Sequence, residues 1–346
     1  MKLVLLIGYF GARNFGDDWT LASFLQGVKG WESSLLWTVV SRSPSETVRQ
    51  FKVNAVPRIG RLFWKAFRQA HSVIALGGSL LQDVTSFRSL LYYASLLTFA
   101  KRFGKKVILL GQGLGPLKRS ASRCLAHGAL RNADLITFRD SQSFSYGASM
   151  QVGAGSAHLT ADITFAYQGE PPVEKENLLT VNLRQWSGLT EAVTVALSRP
   201  IKEIAQKFGL RVTTLVLQQG WDQAPSQVLA SCIKSSVRQP TEWWEKLSFL
   251  QRSRAVVAMR LHGLIGALMG GTLAVGLVYD PKVSAILSPV LNSYLCPMPP
   301  DPCALKVALE KGLSEWGQGV PERVIHLLET QKRAAQLNFE LLRSVL

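Results

Sequence analysis

A chain of 346 residues with 47% hydrophobic content is long enough for two domains with full cores. Its formal charge of +16 is uneven: residues 1–165 hold 20 Lys+Arg against 8 Asp+Glu, an excess of +12, and the second half holds the remaining 19 against 15. That asymmetry predicts an anionic partner for the first half, either an anionic membrane surface or a phosphorylated substrate. No nucleic-acid-binding module is recognisable, so no nucleic acid is expected.

The four cysteines form no CxxC and have no His-rich surroundings, so no metal site is expected and a reducing compartment fits. Met1 to Gly8 reads as a first buried strand rather than a signal peptide. No apolar run reaches the roughly 18 residues of a membrane span. These features predict a cytoplasmic protein.

Strand one, Lys2 to Gly8, runs into the glycine-rich turn Gly8 to Asp18 and a helix from Trp19 to Gly27. This is the strand–loop–helix order of a ligand-binding α/β unit. Strand two, Ser34 to Ser41, ends in Ser41-Arg42-Ser43, where a dinucleotide site would usually carry an acid; that counts against NAD. Val56 to Ala70 is expected to be a helix with Arg58, Arg61, Lys65 and Arg68 along one face, either a solvated layer or a face for anionic lipid. Strands follow at Ser72 to Leu76, Lys105 to Leu110 and Leu135 to Phe138, with a helix from Leu90 to Phe99. Glycine clusters close three strands of this half, as Gly8 to Gly11, Gly77-Gly78 and Gly111 to Gly115, which fits turns that line a cleft.

Gly169 to Lys175 is the expected linker. Beyond it, strands are predicted at Leu178 to Asn182, Val212 to Leu217, from Ala255, and at Leu273 to Val278. Helices are predicted at Ala192 to Phe208, Trp243 to Arg252 and Pro321 to Leu346. The third of these strands delivers Arg260 and His262 at its end, followed by a small-residue helix, Gly263 to Met269. Ligands of open α/β sheets bind at strand carboxyl ends, and a helix N-terminus there favours an anion. A fixed cation and a titratable ring at that spot suit a phosphorylated or carboxylated substrate.

In order along the chain stand Gly8-Tyr9, Asn14-Phe15-Gly16-Asp17, Gly77-Gly78-Ser79-Leu80-Leu81-Gln82-Asp83, Gly111-Gln112-Gly113-Leu114-Gly115-Pro116, Arg139-Asp140-Ser141 and Arg260-Leu261-His262. This series resembles the polysaccharide pyruvyl transferase family, and most of all its CsaB-like members, from the first strand to about Lys282. Asp18 stands where the family commonly has Glu, and Gly263 where it commonly has Ala.

The resemblance implies an α/β fold of two Rossmann-like domains facing a cleft (GT-B-like). The N-terminal domain would span 1–168 on the acceptor and membrane side. The C-terminal domain would span 176–320 on the donor side, with a C-terminal helix at 321–346. It implies phosphoenolpyruvate as co-substrate, no further cofactor, and a pyruvate ketal formed on a sugar of a lipid-linked cell-wall polysaccharide. In CsaB-like proteins the sugar is N-acetylmannosamine and the product anchors surface-layer proteins.

By resemblance His262, Arg139, Lys282 and Asp17 are the catalytic set. Arg260, Arg184, Lys282 and Gly263 would bind phosphoenolpyruvate, and Asn14, Asp17, Gly78, Ser79, Gln82, Asp83 and Gln112 the acceptor. Asp17 also reads as a helix N-cap. The alternative enzyme is a GT-B nucleotide-sugar glycosyltransferase, and the alternative outside catalysis is a basic binding module. The chain would sit in the cytoplasm, peripherally at the inner face of the plasma membrane.

Overall fold

A computed structural model of the chain describes residues 1–31, 34–84, 86–152, 155–169 and 174–346, and their side chains except those of Ser288 and Pro289. The described residues form two compact units, 1–168 with 331–346, and 169–330. Of the expected linker, residues 170–173 lie outside the described residues.

In the first unit the chain runs β1 (Lys2–Ile7), α1 (Phe15–Gly27), β2 (Leu35–Ser41), α2 (Pro44–Phe51), β3 (Asn54–Pro57), α3 (Arg61–Gln69), β4 (Ala70–Leu76) and α4 (Phe87–Arg102). It continues with β5 (Lys106–Gln112), α5 (Ser120–Leu130), β6 (Leu135–Phe138), α6 (Ser141–Ser149) and β7 (Ala157–Leu159). The strands form one parallel sheet in the order β3-β2-β1-β4-β5-β6-β7. Strands covered on both faces need apolar side chains on both, so β1 reads Val4-Leu5-Leu6-Ile7, all buried. Leu5 and Ile7 share a core with α3, α4 and α5 through Phe67, Leu97 and Ala126. The order reverses between β1 and β4, which makes their carboxyl ends the switch point of this sheet.

The second unit repeats the plan. Its elements are β8 (Glu176–Asn182), α7 (Glu191–Lys207), β9 (Arg211–Leu215), α8 (Gln223–Ile233), β10 (Ser236–Arg238), α9 (Trp243–Arg252) and β11 (Ser253–Ala258). Then come α10 (Leu261–Met269), β12 (Leu273–Val278), α11 (Pro281–Leu291), β13 (Leu295–Pro297) and α12 (Pro302–Trp316). Its sheet is parallel in the order β10-β9-β8-β11-β12-β13, so the switch point lies between β8 and β11.

Two expectations are corrected here. The helix expected at Val56 to Ala70 is shorter: Val56 and Pro57 belong to β3, Ala70 opens β4, and Arg58 precedes the helix. Arg58 instead lies over the Tyr92 ring, 4.3 Å from its centroid, so it is not part of a cationic helix face. The expected C-terminal helix is α13 (Glu322–Val345), which is not a separate piece. It starts in the second unit, and from Gln331 onward it belongs to the first. There Asn338, fully buried, donates to the Ala161 carbonyl at 3.1 Å and accepts from Thr160 Oγ1 at 2.9 Å.

At the start of α13, Arg323 Nη2 donates to Glu315 Oε2 at 2.7 Å, and the Tyr294 hydroxyl donates to the same oxygen. The Arg323 hydrogen bonds hold the Glu315 carboxyl down to about 2, below its ordinary 4.5, despite an opposing push from burial. A depressed carboxylate stabilises the fold above its unfolded pKa, and that contribution fades as pH falls toward the folded one. The stability difference between wild type and Glu315→Gln should therefore be flat above about pH 5 and shrink between pH 4.5 and 2. Denaturant melts across that range check it; a difference independent of pH would contradict it.

Candidate active site

In the first unit, Asn14 caps α1: its Oδ1 accepts from Gly16 N, and its Nδ2 donates to Asp17 Oδ2. Asp17 is thus the third residue of the helix and not its cap, which removes the N-cap reading. Gly78, at the end of β4, lies beside it: a Cβ there would stand 3.5 Å from Asp17 Oδ1. Asn14, Asp17, Gly78 and Ser79 are all partly exposed around the carboxyl ends of β1 and β4. Tyr93 braces this end, donating from its hydroxyl to the Gly8 carbonyl at 2.7 Å. Burial above all pushes that phenol far above its ordinary pKa.

The rest of the expected acceptor set hydrogen-bonds within the loops of this unit. Gln112 is buried, and its Nε2 donates to the carbonyls of Ala75 (3.0 Å) and Gly77 (2.9 Å), tying the end of β5 to that of β4. Asp83 accepts from the backbone N–H groups of Lys118 (2.9 Å) and Arg119 (3.0 Å) and so clamps one βα loop to the next. Burial pushes its carboxyl up, but these hydrogen bonds outweigh it and hold the pKa below the ordinary value. Gln82 Oε1 accepts from Val84 N within its own loop, at 2.8 Å.

Arg139 follows β6 and is 3% exposed. Its Nη1 donates to Asp162 Oδ2 at 3.0 Å, its Nη2 to Ser79 Oγ at 3.2 Å, and Asp140 lies 3.7 Å from its Nε. Gly113 makes room for it, since a Cβ there would lie 2.9 Å from Arg139 Nη2 and 2.6 Å from Ser79 Oγ. Its guanidinium thus sits between two carboxylates and holds the Ser79 hydroxyl.

In the second unit the same edge gathers Arg184 after β8, Arg260 and His262 after β11, and Lys282 after β12. Arg260 donates from Nε to both oxygens of Asp222, at 3.0 and 2.8 Å, and from Nη2 to Oδ1. Asp222 is fully buried and also accepts from Asn182 Nδ2 and from the N–H groups of Leu217 and Gln218, each at 3.0 Å. It therefore neutralises Arg260 and fixes its fork. Lys282 pairs with Asp280 at 2.8 Å.

Arg184 is different. Its Nη1 donates to the Tyr279 hydroxyl at 2.6 Å, and its guanidinium lies over the rings of Tyr279 (5.0 Å) and Trp221 (5.5 Å). Among the described residues no carboxylate pairs with it within 4.0 Å, so of the three cations at this edge it is the one whose charge is uncompensated. Cations held on aromatic faces stay desolvated and aligned.

Arg260 occupies the N-cap of α10, and His262 is the second residue of its first turn. Helix geometry leaves the first amides of that turn without intrahelical carbonyls, a setting for an anion. Gly263 does not add to it: its N–H donates to the Arg260 carbonyl at 3.0 Å. Its missing side chain admits Leu217 instead, since a Cβ would lie 2.9 Å from Leu217 Cδ1. Gly263 is thus needed for close packing of Leu217.

Asp222, Tyr279 and Trp221 escaped the sequence reading. The available signal was an acid four residues after Gln218, just ahead of a helix. Because α8 was not foreseen, Asp222 had no structural place.

Residues 14–281 match the family model described as polysaccharide pyruvyl transferase. No curated protein matches the chain in sequence. Among solved structures, the fold is similar to that of UDP-GlcNAc 2-epimerase from Neisseria meningitidis bound to UDP-GlcNAc. That match has a TM-score of 0.64 at 10% identity, over 99% of this chain and 100% of that one. A putative UDP-N-acetylglucosamine 2-epimerase from Listeria monocytogenes matches with TM-score 0.66 at 10% identity, over 99% and 94%. The UDP-GlcNAc 2-epimerase from Methanocaldococcus jannaschii matches with TM-score 0.65 at 9% identity, over 99% and 100%. Identities this low carry the fold alone, and the fold agrees with the expected GT-B-like α/β class of two Rossmann-like sheets. No described helix is long and apolar enough to cross a membrane.

Proposed function

Since the chain belongs to the polysaccharide pyruvyl transferase family, we propose that it moves pyruvate from phosphoenolpyruvate onto a hydroxyl pair of a cell-wall sugar as a ketal. The acceptor in this reading is N-acetylmannosamine of a lipid-linked polymer, whose product serves surface-layer anchoring. The observation that carries the donor side is Arg184, an uncompensated cation beside the N-terminus of α10 at the switch point of the second sheet. Phosphoenolpyruvate brings a phosphate and a carboxylate, and a guanidinium meets either with a planar fork. Arg260 offers the edge that Asp222 leaves over, and Lys282 contributes a charge shared with Asp280.

Ketal formation needs a proton delivered to the enol methylene, attack of one sugar hydroxyl on the adjacent carbon, and departure of phosphate. The second hydroxyl then attacks the same carbon and closes the ring. One hydroxyl proton replaces the proton delivered to the methylene, and the other leaves with the phosphate, so the transfer balances without a further cofactor. His262 is the group assigned to proton delivery, because an imidazole can both give and take a proton. Asn14, Asp17, Gly78 and Ser79 are assigned to the acceptor.

The test is donor affinity. A lost charge-assisted contact is worth roughly 1.5–3 kcal/mol, about one to two decades. Arg184→Ala should raise the phosphoenolpyruvate dissociation constant by that much in calorimetric titration. Lys282→Ala should raise it less, since Asp280 already shares that charge. An unchanged constant for Arg184→Ala would remove the donor from this edge.

A further inference from the structure

Most of the first half's excess positive charge lies in one stretch of the chain. From Thr47 to Ala133 the chain carries 15 Lys+Arg and a single acid, Asp83, which is occupied by backbone N–H groups. Helices α3, α4 and α5 contain no acid at all, and they share one core against the same sheet face. Arg61, Lys65, Arg68 and Arg102 are exposed, and among the described residues none of them pairs with a carboxylate within 4.0 Å.

Apolar side chains stand among these cations. Leu62 is 61% exposed, Trp64 50% and Phe103 63%, with Ile59 and Phe99 also open to solvent. Three of them are linked through buried Phe67: Trp64 packs on Phe67 (5.6 Å between ring centroids), Phe67 on Phe103 (6.1 Å), and Phe103 on Phe99 (6.3 Å). The patch is anchored from below. Phe63 and Phe67 are buried, and Lys105, itself 7% exposed, donates to the carbonyls of Arg68 (3.2 Å) and Ala70 (2.6 Å) where α3 ends.

We infer that the α3–α4 end of this face is a docking surface for an anionic lipid bilayer. Trp64, Leu62, Phe99 and Phe103 enter the headgroup boundary, and Arg61, Lys65, Arg68 and Arg102 meet lipid phosphates. Interfacial binding combines those two parts, buried apolar area and cationic attraction. A second copy of the chain would bring like charge against like charge. Duplex DNA accounts for the cations but not for a solvent-open aliphatic and aromatic patch. The inference stands apart from the pyruvyl transfer reading, because it rests on charge and exposed apolar side chains alone.

Flotation of the full chain with vesicles tests it, using equal parts phosphatidylglycerol and phosphatidylcholine against phosphatidylcholine alone. The chain should float with the anionic vesicles, stay behind with the neutral ones, and be released at about 1 M salt, where the screening length falls to a few ångströms. Arg61→Gln/Lys65→Gln/Arg68→Gln should weaken partition roughly a hundredfold. Leu62→Ser/Trp64→Ser/Phe103→Ser should release the chain at lower salt than wild type. Lys202→Gln/Lys234→Gln/Arg238→Gln, an equal charge change on the second unit, should leave partition unchanged, and thermal melts report folding of each variant. Two results would overturn the inference: wild-type partition by both first-unit variants with intact melts, or binding to duplex DNA with none to vesicles.

Discussion

His262→Ala is expected to lower turnover by roughly 10²–10⁴-fold, the span that a positioned acid or base supplies. Donor affinity should move less than tenfold and the melting temperature hardly at all. His262 is partly exposed in the first turn of α10, so its loss opens little core. The neighbouring Arg260 and Gly263, which set the local geometry, are untouched by it. Turnover, donor titration and thermal melting on one preparation separate a chemical role from a structural one. Near-normal turnover would take His262 out of the mechanism, and a collapsed melt would make it a packing residue.

Asp222→Ala should be the most damaging substitution for the second unit's stability, by about 3–5 kcal/mol. It would strand the Arg260 guanidinium, which is 9% exposed, without a counterion. It would also orphan the N–H groups of Leu217 and Gln218 and remove one of the two acceptors of the Asn182 amide. Asp222→Asn, which keeps the shape and one acceptor oxygen but loses the charge, should fall between wild type and Asp222→Ala. Denaturant unfolding followed by a probe in the second unit checks this, since two units need not unfold in one step. A cost below about 1 kcal/mol for Asp222→Ala would mean that the pair contributes little and that Arg260 finds water in its place.

The positions of the site residues were legible because buried parallel strands announce themselves. Val4 to Ile7, Val73 to Leu76 and Ala255 to Ala258 are unbroken apolar runs, and whatever follows such a run stands at the carboxyl edge of a sheet. Arg184, Arg260 and His262 were found that way. Short edge strands were not legible: β3, β7, β10 and β13 have three or four residues, are only partly buried, and include Pro57 and Pro297. Several helices were also missed. α5, Ser-Ala-Ser-Arg-Cys-Leu-Ala-His-Gly-Ala-Leu, has small residues where an apolar stripe would show, and α8 carries Pro225 and Ser226 among its buried residues.

Pairing was the other hidden layer. Spacing places Arg139, Arg184, Arg260 and Lys282 at strand ends alike. Only the folded chain shows that Asp162, Asp222 and Asp280 compensate three of them and leave Arg184. The same holds for Gln112 and Asp83, whose hydrogen bonds to neighbouring loops show only in the folded chain.

The most direct measurement is product analysis of the purified chain incubated with phosphoenolpyruvate and an N-acetylmannosamine-containing acceptor. Pyruvyl transfer predicts inorganic phosphate released in step with a ketal-bearing product, with phosphate release lost in His262→Ala and needing more donor in Arg184→Ala. Phosphoenolpyruvate left intact, while UDP-GlcNAc is consumed by the same preparation, would contradict it and make the chain a nucleotide-sugar enzyme.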